Sequence, residues 1–452
     1  MLTPKVLTAM VLTATEAEPM QSRSGPHGRR RPTVRAAAMA LAVLTAGVAA
    51  LAGCAPGPAA APETTPQVEV YSWWASGSEK LALDALVGVF GEQFPETRFV
   101  DSGIAGGAGW TAKDLLRSRL ESGDAPDTFQ VHGGAELAEY VAAGQVQVLD
   151  GLFDEVGLRE ALPDRILDLV SVDGALYAVP SNIHRANLVW ANPDALRAAG
   201  LDPAERYASL DEWFVALDAV AATGRTPLAV GSTWTQVHLL EQVLLSRLGP
   251  AGYTALWDGS ADAGSPEVLA ALEDFQRLMG YANTDRGSLD WQDTTQRVID
   301  GEAGFTVMGD WALGAFAEDG GVAPTDVVWA PMPGTAGTYN AVLDAFTLPS
   351  GAPHPTQARQ WLQTVASAEG QIQFSNAKGA IPARVNLGTE KLGTYQRAAL
   401  GSFRTDVMVL SVTHGAAVDS PTLSAVSSAV SRFTAGQIGT QGLSEALVDA
   451  LG

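Results

Sequence analysis

The segment VEVYSWW ends in two adjacent tryptophans, Trp73 and Trp74, just before a stretch patterned as a helix. An indole is costly to expose, and a strand buried on both faces has little use for two of them at its end. A flat ring placed there can instead cover the C–H face of a sugar. Asp, Lys, His and indole N–H groups would then bind the hydroxyls around the sugar's equator. Tryptophan is abundant, 11 residues against 13 Phe and 8 Tyr, and Trp291 in LDWQD and Trp311 in MGDW also fall where elements begin or end. Any one of these rings alone reads as a core anchor; an adjacent pair at a strand end fits that role less well.

Reactive groups are sparse. The chain has no HExxH, CxxC, Walker loop or GxSxG. GIAGGAG, Gly103 to Gly109, lacks the Lys-Ser/Thr of a phosphate-binding loop and reads as a plain loop. DGSADAGSPE lacks the Gly and Glu spacing of a calcium loop. Six histidines, His27, His132, His184, His238, His354 and His414, show no metal-ligand spacing, so neither a metal nor a cofactor is expected. His132 ends DTFQVH and precedes Gly133-Gly134. Ligands of open α/β sheets bind beyond the carboxyl ends of strands. Trp73, Trp74 and His132 would therefore meet at one sheet edge.

The elements that must hold these groups alternate. QVEVYSW, TRFVDS and PDTFQVH read as strands, and Ser76–Phe94, TAKDLLRSRLES and AELAEYVAAGQ as helices, with Leu86, Phe90 and Phe94 on one stripe. That rhythm predicts a parallel α/β sheet. SVDGALYAVP carries an Asp-Gly hairpin turn and NLVWAN a further strand. Ser209-Leu-Asp-Glu212 and Ser76-x-x-Glu79 have the form of capping boxes, and Ser265-Pro266 that of an N-cap followed by Pro at the first helical position. TPLAVG reads as a strand and TQVHLLEQVLLSRLG as a helix; AGFTVMGDW, DVVWAPMPG and YNAVLDAFTLPSGA supply late strands. The simplest architecture is two α/β lobes with a cleft between them, the chain crossing near Tyr177–Asn182 and late strands around Asp344 returning to the first lobe.

At 452 residues and 46% apolar composition, the chain can build two cores. A net charge of −22 argues against nucleic acid or anionic lipid as a partner. Arg29, Arg30, Arg31 and Arg35 precede the apolar run Ala36–Ala50, which is too short for a confident membrane span; LAGC follows, ending in the sole cysteine, Cys54. Small residues before a lone Cys resemble the lipobox of bacterial lipoproteins. That implies a signal peptide over 1–53, lipidation at Cys54 and a flexible Pro/Ala/Thr tether over 54–66. Residues 1–28 fit no signal pattern, which points to a later start codon.

Taken together, the segments SWW, GGAG, DTFQVH, VPSNIHRANLVW, WTQVHL, LGP, RVIDGEAGFTVMGDW, WAPMPGT, LDAFTLPSGA, KGAIPAR and HGA, in order from Ser72 to His414, resemble the extracytoplasmic solute-binding proteins of sugar ABC transporters. Within that group the chain looks most like the glucose/mannose-type binding proteins. The resemblance implies an α/β, two-lobe periplasmic-binding-protein fold of type II with hinge strands. The first lobe would span 67–180 plus about 343–376, and the second 181–342 plus about 377–452. It further implies capture of a monosaccharide (glucose, galactose or mannose) by cleft closure and delivery to the transmembrane permease. The protein would be monomeric and lipid-anchored outside the cell membrane, with no catalysis. Carried onto this sequence, the tryptophan pair, Trp74 foremost with Trp73 beside it, would stack on the pyranose. Glu79, His132, Trp291, Trp311, Asp344, Lys378 and His414 would line the cleft. Glu79 stands one residue further from the tryptophans than the family pattern places it, and Lys378 could instead serve as a helix-terminal cation. Asp344, among apolar neighbours, needs buried partners that sugar hydroxyls could supply. The alternatives are a secreted carbohydrate-active enzyme, for which Asp344 and Glu79 are the only carboxylate pair to nominate, and a sugar sensor signalling to a membrane receptor.

Overall fold

Strand β1 (Gln67–Tyr71) buries Val68 and Val70, and the helix Gly77–Gln93 buries Leu83, Leu86 and Phe90 in the same core. The structure, a computed structural model, describes residues 66–318 and 327–452. The expected signal peptide, Cys54 and the tether as far as residue 65 lie outside the described residues. Strand β2 (Arg98–Asp101) and strand β3 (Thr128–His132) each run parallel to β1, with the helix Trp110–Glu121 between them. A short hairpin follows, β4 (Ser171–Val172) and β5 (Ala175–Leu176). Asp173 and Gly174 at its turn take φ of 51° and 81°, the left-handed pair a tight hairpin needs.

The remaining strands are β6 (Ala178–Arg185), β7 (Leu188–Ala191), β8 (Thr226–Ala229), β9 (Ala303–Val307), β10 (Val328–Pro331), β11 (Thr338–Thr347), β12 (Ile381–Pro382) and β13 (Val407–Leu410). They build two further sheets. The larger has the order β12-β6-β11-β3-β1-β2, with β13 beside β11; the smaller is β10-β7-β9-β8. The expected parallel arrangement holds for β1, β2 and β3. Beyond them the larger sheet is mixed, because β11 arrives from far along the chain and runs against both β3 and β6. One core surrounds the larger sheet, including Phe90, Phe129, Phe346 and Trp361; a second, with Trp213, Phe275, Phe305 and Phe433, surrounds the smaller one.

Strands β6 and β11 are buried along their whole length. The pattern around Pro180 gives little sign of β6, since proline cannot donate to a ladder and is normally kept from central strands. A bulge accommodates it. Asp344 faces Asn182 and the next residue, Ala345, faces Pro180, which leaves Ser181 as the extra residue. Its hydroxyl lies 2.7 Å from Asn182 Oδ1 and 3.1 Å from the Asp344 carbonyl oxygen. Bulges bend a strand and re-aim nearby side chains, and this one sits at Asp344. The chain passes to the smaller sheet between Arg185 and Leu188, a few residues beyond the expected crossing.

Helix boundaries follow local chemistry. Ser209 accepts from the Glu212 N–H at 3.3 Å, but the Glu212 carboxylate reaches back to Ala208 N–H, so the capping box is only half formed. Ser265 caps as expected, accepting from Val268 N–H with Pro266 at the first turn. Ser76 makes no side-chain cap bond. The helix Thr233–Trp257 runs longer than its sequence signal and kinks at Gly249, before Pro250.

Candidate functional site

Strands β3, β6 and β11 place polar side chains side by side where a buried sheet would ordinarily have none. Asp344, 3% exposed, is cross-strand to both His132 and Asn182. Its carboxylate accepts from Gln130 Nε2 at 3.0 Å and Asn182 Nδ2 at 3.1 Å, with His132 Nε2 and His184 Nε2 each 3.4 Å away. Burial by itself would raise the Asp344 pKa. The hydrogen bonds and charges of His132 and His184 outweigh it and hold the carboxyl well below its usual range.

All nine residues named from the sequence line one cavity: Trp73, Trp74, Glu79, His132, Trp291, Trp311, Asp344, Lys378 and His414. The empty space between its walls, mouth included, is about 430 Å³. Trp73 and Trp74 follow β1. The Trp73 ring lies 4.8 Å from that of His132, with Lys113 Nζ 5.1 Å from its centroid. Trp74 packs on Phe374 at 4.6 Å and Phe346 at 5.7 Å, so much of its ring belongs to the core. Trp291 opens the helix Trp291–Ile299, whose capping box is complete: Asp290 accepts from Asp293 N–H, and Asp293 from Asp290 N–H at 2.8 Å; Asp290 also accepts from Trp291 N–H at 2.8 Å. Trp311 follows β9 and meets His414 and His184 edge-on at 5.0 and 5.3 Å.

Glu79 does not close a capping box. Its carboxylate pairs with Lys378 Nζ at 2.5 Å, and that ammonium also lies 5.6 Å from the Trp74 ring centroid. Lys378 is the last residue of the helix Ala368–Lys378, yet its cation is spent on Glu79. On the other side, His132 Nδ1 is 3.0 Å from both Glu136 Oε2 and Lys113 Nζ. The Glu136 carboxyl is held below its usual pKa: burial opposes this, but Lys113 and His132 prevail. His414 is pushed well below 6.5, first by burial and then by the charges of His132, His238 and Lys113.

Besides Val342, three parts of the wall were not read as site from the sequence. His184, in β6, is clamped between Asp310, bonded to its Nδ1, and Asp344; burial favours the neutral ring, but the two acids raise its pKa. Trp234 donates its indole N–H to Asp290 at 2.8 Å. The segment GGAG, expected as a plain loop, contributes Gly106, Ala108 and Gly109. Its residues Gly106, Gly107, Ala108 and Gly109 all take positive φ, and a Cβ at Gly109 would stand 2.7 Å from the Trp73 ring. Glycine is needed there for the ring to approach the backbone. Among the described residues no group of three or more His, Cys, Asp or Glu is placed to hold a metal ion, and no helix is long and apolar enough to cross a membrane.

The model of the bacterial extracellular solute-binding protein family matches residues 74–372. Similar curated proteins include an uncharacterized ABC transporter extracellular-binding protein of Pyrococcus horikoshii, 34% identical over 81% of this chain and 84% of that one. A probable sugar-binding periplasmic protein of Brucella suis is 30% identical over 90% of this chain and 96% of its own length. The chain belongs to the bacterial extracellular solute-binding protein family. Its two-lobe α/β fold is shared with solved structures at low identity. One is a solute receptor with a preference for β-D-galactopyranose (TM-score 0.75, 16% identity, 85% of this chain and 98% of that one). Another is a chitin oligosaccharide binding protein (TM-score 0.75, 19% identity, 86% and 98%).

Proposed function

We propose that this protein is the substrate-binding subunit of an ABC importer. It captures a monosaccharide such as glucose, galactose or mannose between its lobes and presents the closed form to the permease. The observation that carries this reading is the cavity itself. Five indole rings surround a buried carboxylate, a Lys–Glu pair and three histidines, which is the apolar-face and polar-edge complement of a pyranose. Among the described residues the one lysine of the wall, Lys378, is paired with Glu79, and behind His132 Lys113 is paired with Glu136, which suits a neutral ligand. The names of relatives agree with a sugar: besides the Brucella protein, a xylose/arabinose-binding protein of Haloferax volcanii is 28% identical over 85% of this chain. The confined, many-sided wall favours one sugar ring over a long oligosaccharide.

Ligand contacts to both lobes favour the closed state, because only that state makes all of them. The lobes are taken as one around each sheet, so relative to the expected bounds of 67–180 with about 343–376, and 181–342 with about 377–452, the first lobe also takes residues 181–185, 338–342 and the strands β12 and β13. Anchoring through a lipidated Cys54 would keep the monomer beside its permease. A thermal-shift screen of residues 60–452 against about twenty neutral sugars tests the proposal. One or a few hexoses should raise the melting point, since a ligand bound only by the native state stabilises it. A shift with charged solutes alone would contradict the proposal.

A further inference from the structure

We infer that Ser411 and Glu241 are positioning residues that hold His414 as its Nδ1–H tautomer, so that Nε2 meets the ligand only as a hydrogen-bond acceptor. The consequence for ligand choice rests on the sugar reading above; the tautomer itself does not.

Glu241, in the helix Thr233–Trp257, is 1% exposed. Its Oε1 accepts from the Tyr253 hydroxyl at 2.9 Å, Asn340 Nδ2 at 2.6 Å and Val412 N–H at 3.2 Å. Its Oε2 accepts from Thr413 N–H at 3.0 Å, the Thr413 hydroxyl at 2.5 Å and the Ser411 hydroxyl at 3.1 Å. One carboxylate thus ties a helix of the second core to β11 and to the turn that follows β13. That turn carries His414.

Ser411 Oγ also lies 2.8 Å from His414 Nδ1. A hydroxyl has a single proton to give. Were Ser411 to give it to Nδ1, its bare lone pairs would face a buried carboxylate at 3.1 Å, a repulsion that a low-dielectric site magnifies. Giving the proton to Glu241 removes that conflict. The 2.8 Å contact then requires the imidazole to donate from Nδ1. A neutral ring protonated at Nδ1 is bare at Nε2, and Nε2 has no hydrogen-bond partner among the described residues. Much of the remaining polar lining, Lys378 and the indole N–H groups, can only donate. His414 Nε2 therefore joins Asp344 as an acceptor, and the sugar must present it with an O–H. A ring position bearing fluorine or an ether oxygen, which can only accept, is refused there.

The test is a long-range proton–nitrogen NMR spectrum of the protein labelled with nitrogen-15 in its histidine rings, with His414→Gln identifying the resonances. The unliganded wild type should show His414 protonated at Nδ1 and bare at Nε2 at pH 7, and Ser411→Ala should shift it toward the other tautomer. D-glucose affinity of Ser411→Ala should fall roughly tenfold, matching a lost hydrogen bond. A wild-type ring protonated at Nε2, or a folded Ser411→Ala with unchanged tautomer and affinity, overturns the inference. Should Ser411→Ala fail to fold, the wild-type spectrum still decides. Failure of the wild type to bind any of D-glucose, D-galactose and D-mannose would count against the sugar reading and leave the tautomer result standing.

Discussion

Asp344 shows how a costly group is kept. A buried carboxylate without partners would be strongly unfavourable. Here Gln130 and Asn182 donate to it, and His132 and His184 approach from either side. Asp344→Ala should lower glucose affinity at least tenfold, about 1.4 kcal/mol, in a calorimetric titration; unchanged affinity would remove Asp344 from ligand contact. His414 gives a pH prediction of definite sign. Its native pKa is well below the value near 6.5 of the unfolded chain, so on acidification the unfolded state takes up the proton first. Stability should fall by about 1.4 kcal/mol per pH unit below pH 6.5 from this residue. His184 acts oppositely: its raised pKa stabilises below 6.5, an effect lost as pH rises through its native value. Urea unfolding at pH 7 and pH 5 should therefore show a smaller acid loss in His414→Gln than in the wild type; equal losses would contradict a neutral His414. The tryptophans were legible because bulky rings at element ends are conspicuous, whereas Asp344, Lys378 and His414 came from resemblance to a family. His184 falls in the polar stretch between two segments read as strands, and Trp234 just ahead of one read as a helix, so neither carries a local pattern that marks it as site.

Glycines and a bulge place these side chains, and they are nearly silent in sequence. At Gly309 an added Cβ would lie 2.1 Å from the Trp311 ring, which folds back over the backbone. Gly309→Ala must displace that ring. It should cost about 1–3 kcal/mol in denaturant unfolding and weaken sugar binding as well; wild-type stability and affinity together would mean the ring has room to spare. GGAG read as a loop because its residues offer no chemistry of their own, yet it lets Trp73 approach the backbone. The Gln67–His132 alternation and the Asp173-Gly174 hairpin were legible because apolar periodicity and turn chemistry are local. Strand β6 was not, because Pro180 disguises it and only the partner β11, over 150 residues later, supplies the bulge that accepts it. Nor was the antiparallel course of β11, since nothing within a strand says which way its neighbours run.

In the molecule as a whole, two cores, each with its own sheet, are joined by a chain that passes back and forth between them, and the cavity gathers residues from across that chain. Trp73 and Trp74 come from the first strand region, Trp291 and Trp311 from around the smaller sheet, and Lys378 and His414 from the last third of the sequence. Such a site forms only when the long-range topology is complete. The proposed closing of two lobes over a sugar follows from that arrangement. Its most direct test is a crystal structure of the protein with the hexose that most raises its melting point. Density for one pyranose should lie among Trp73, Trp74, Trp291 and Trp311, with Asp344 and His414 within hydrogen-bond distance of its hydroxyls. A sugar bound elsewhere on the molecule, with this cavity filled only by water, would contradict the proposal.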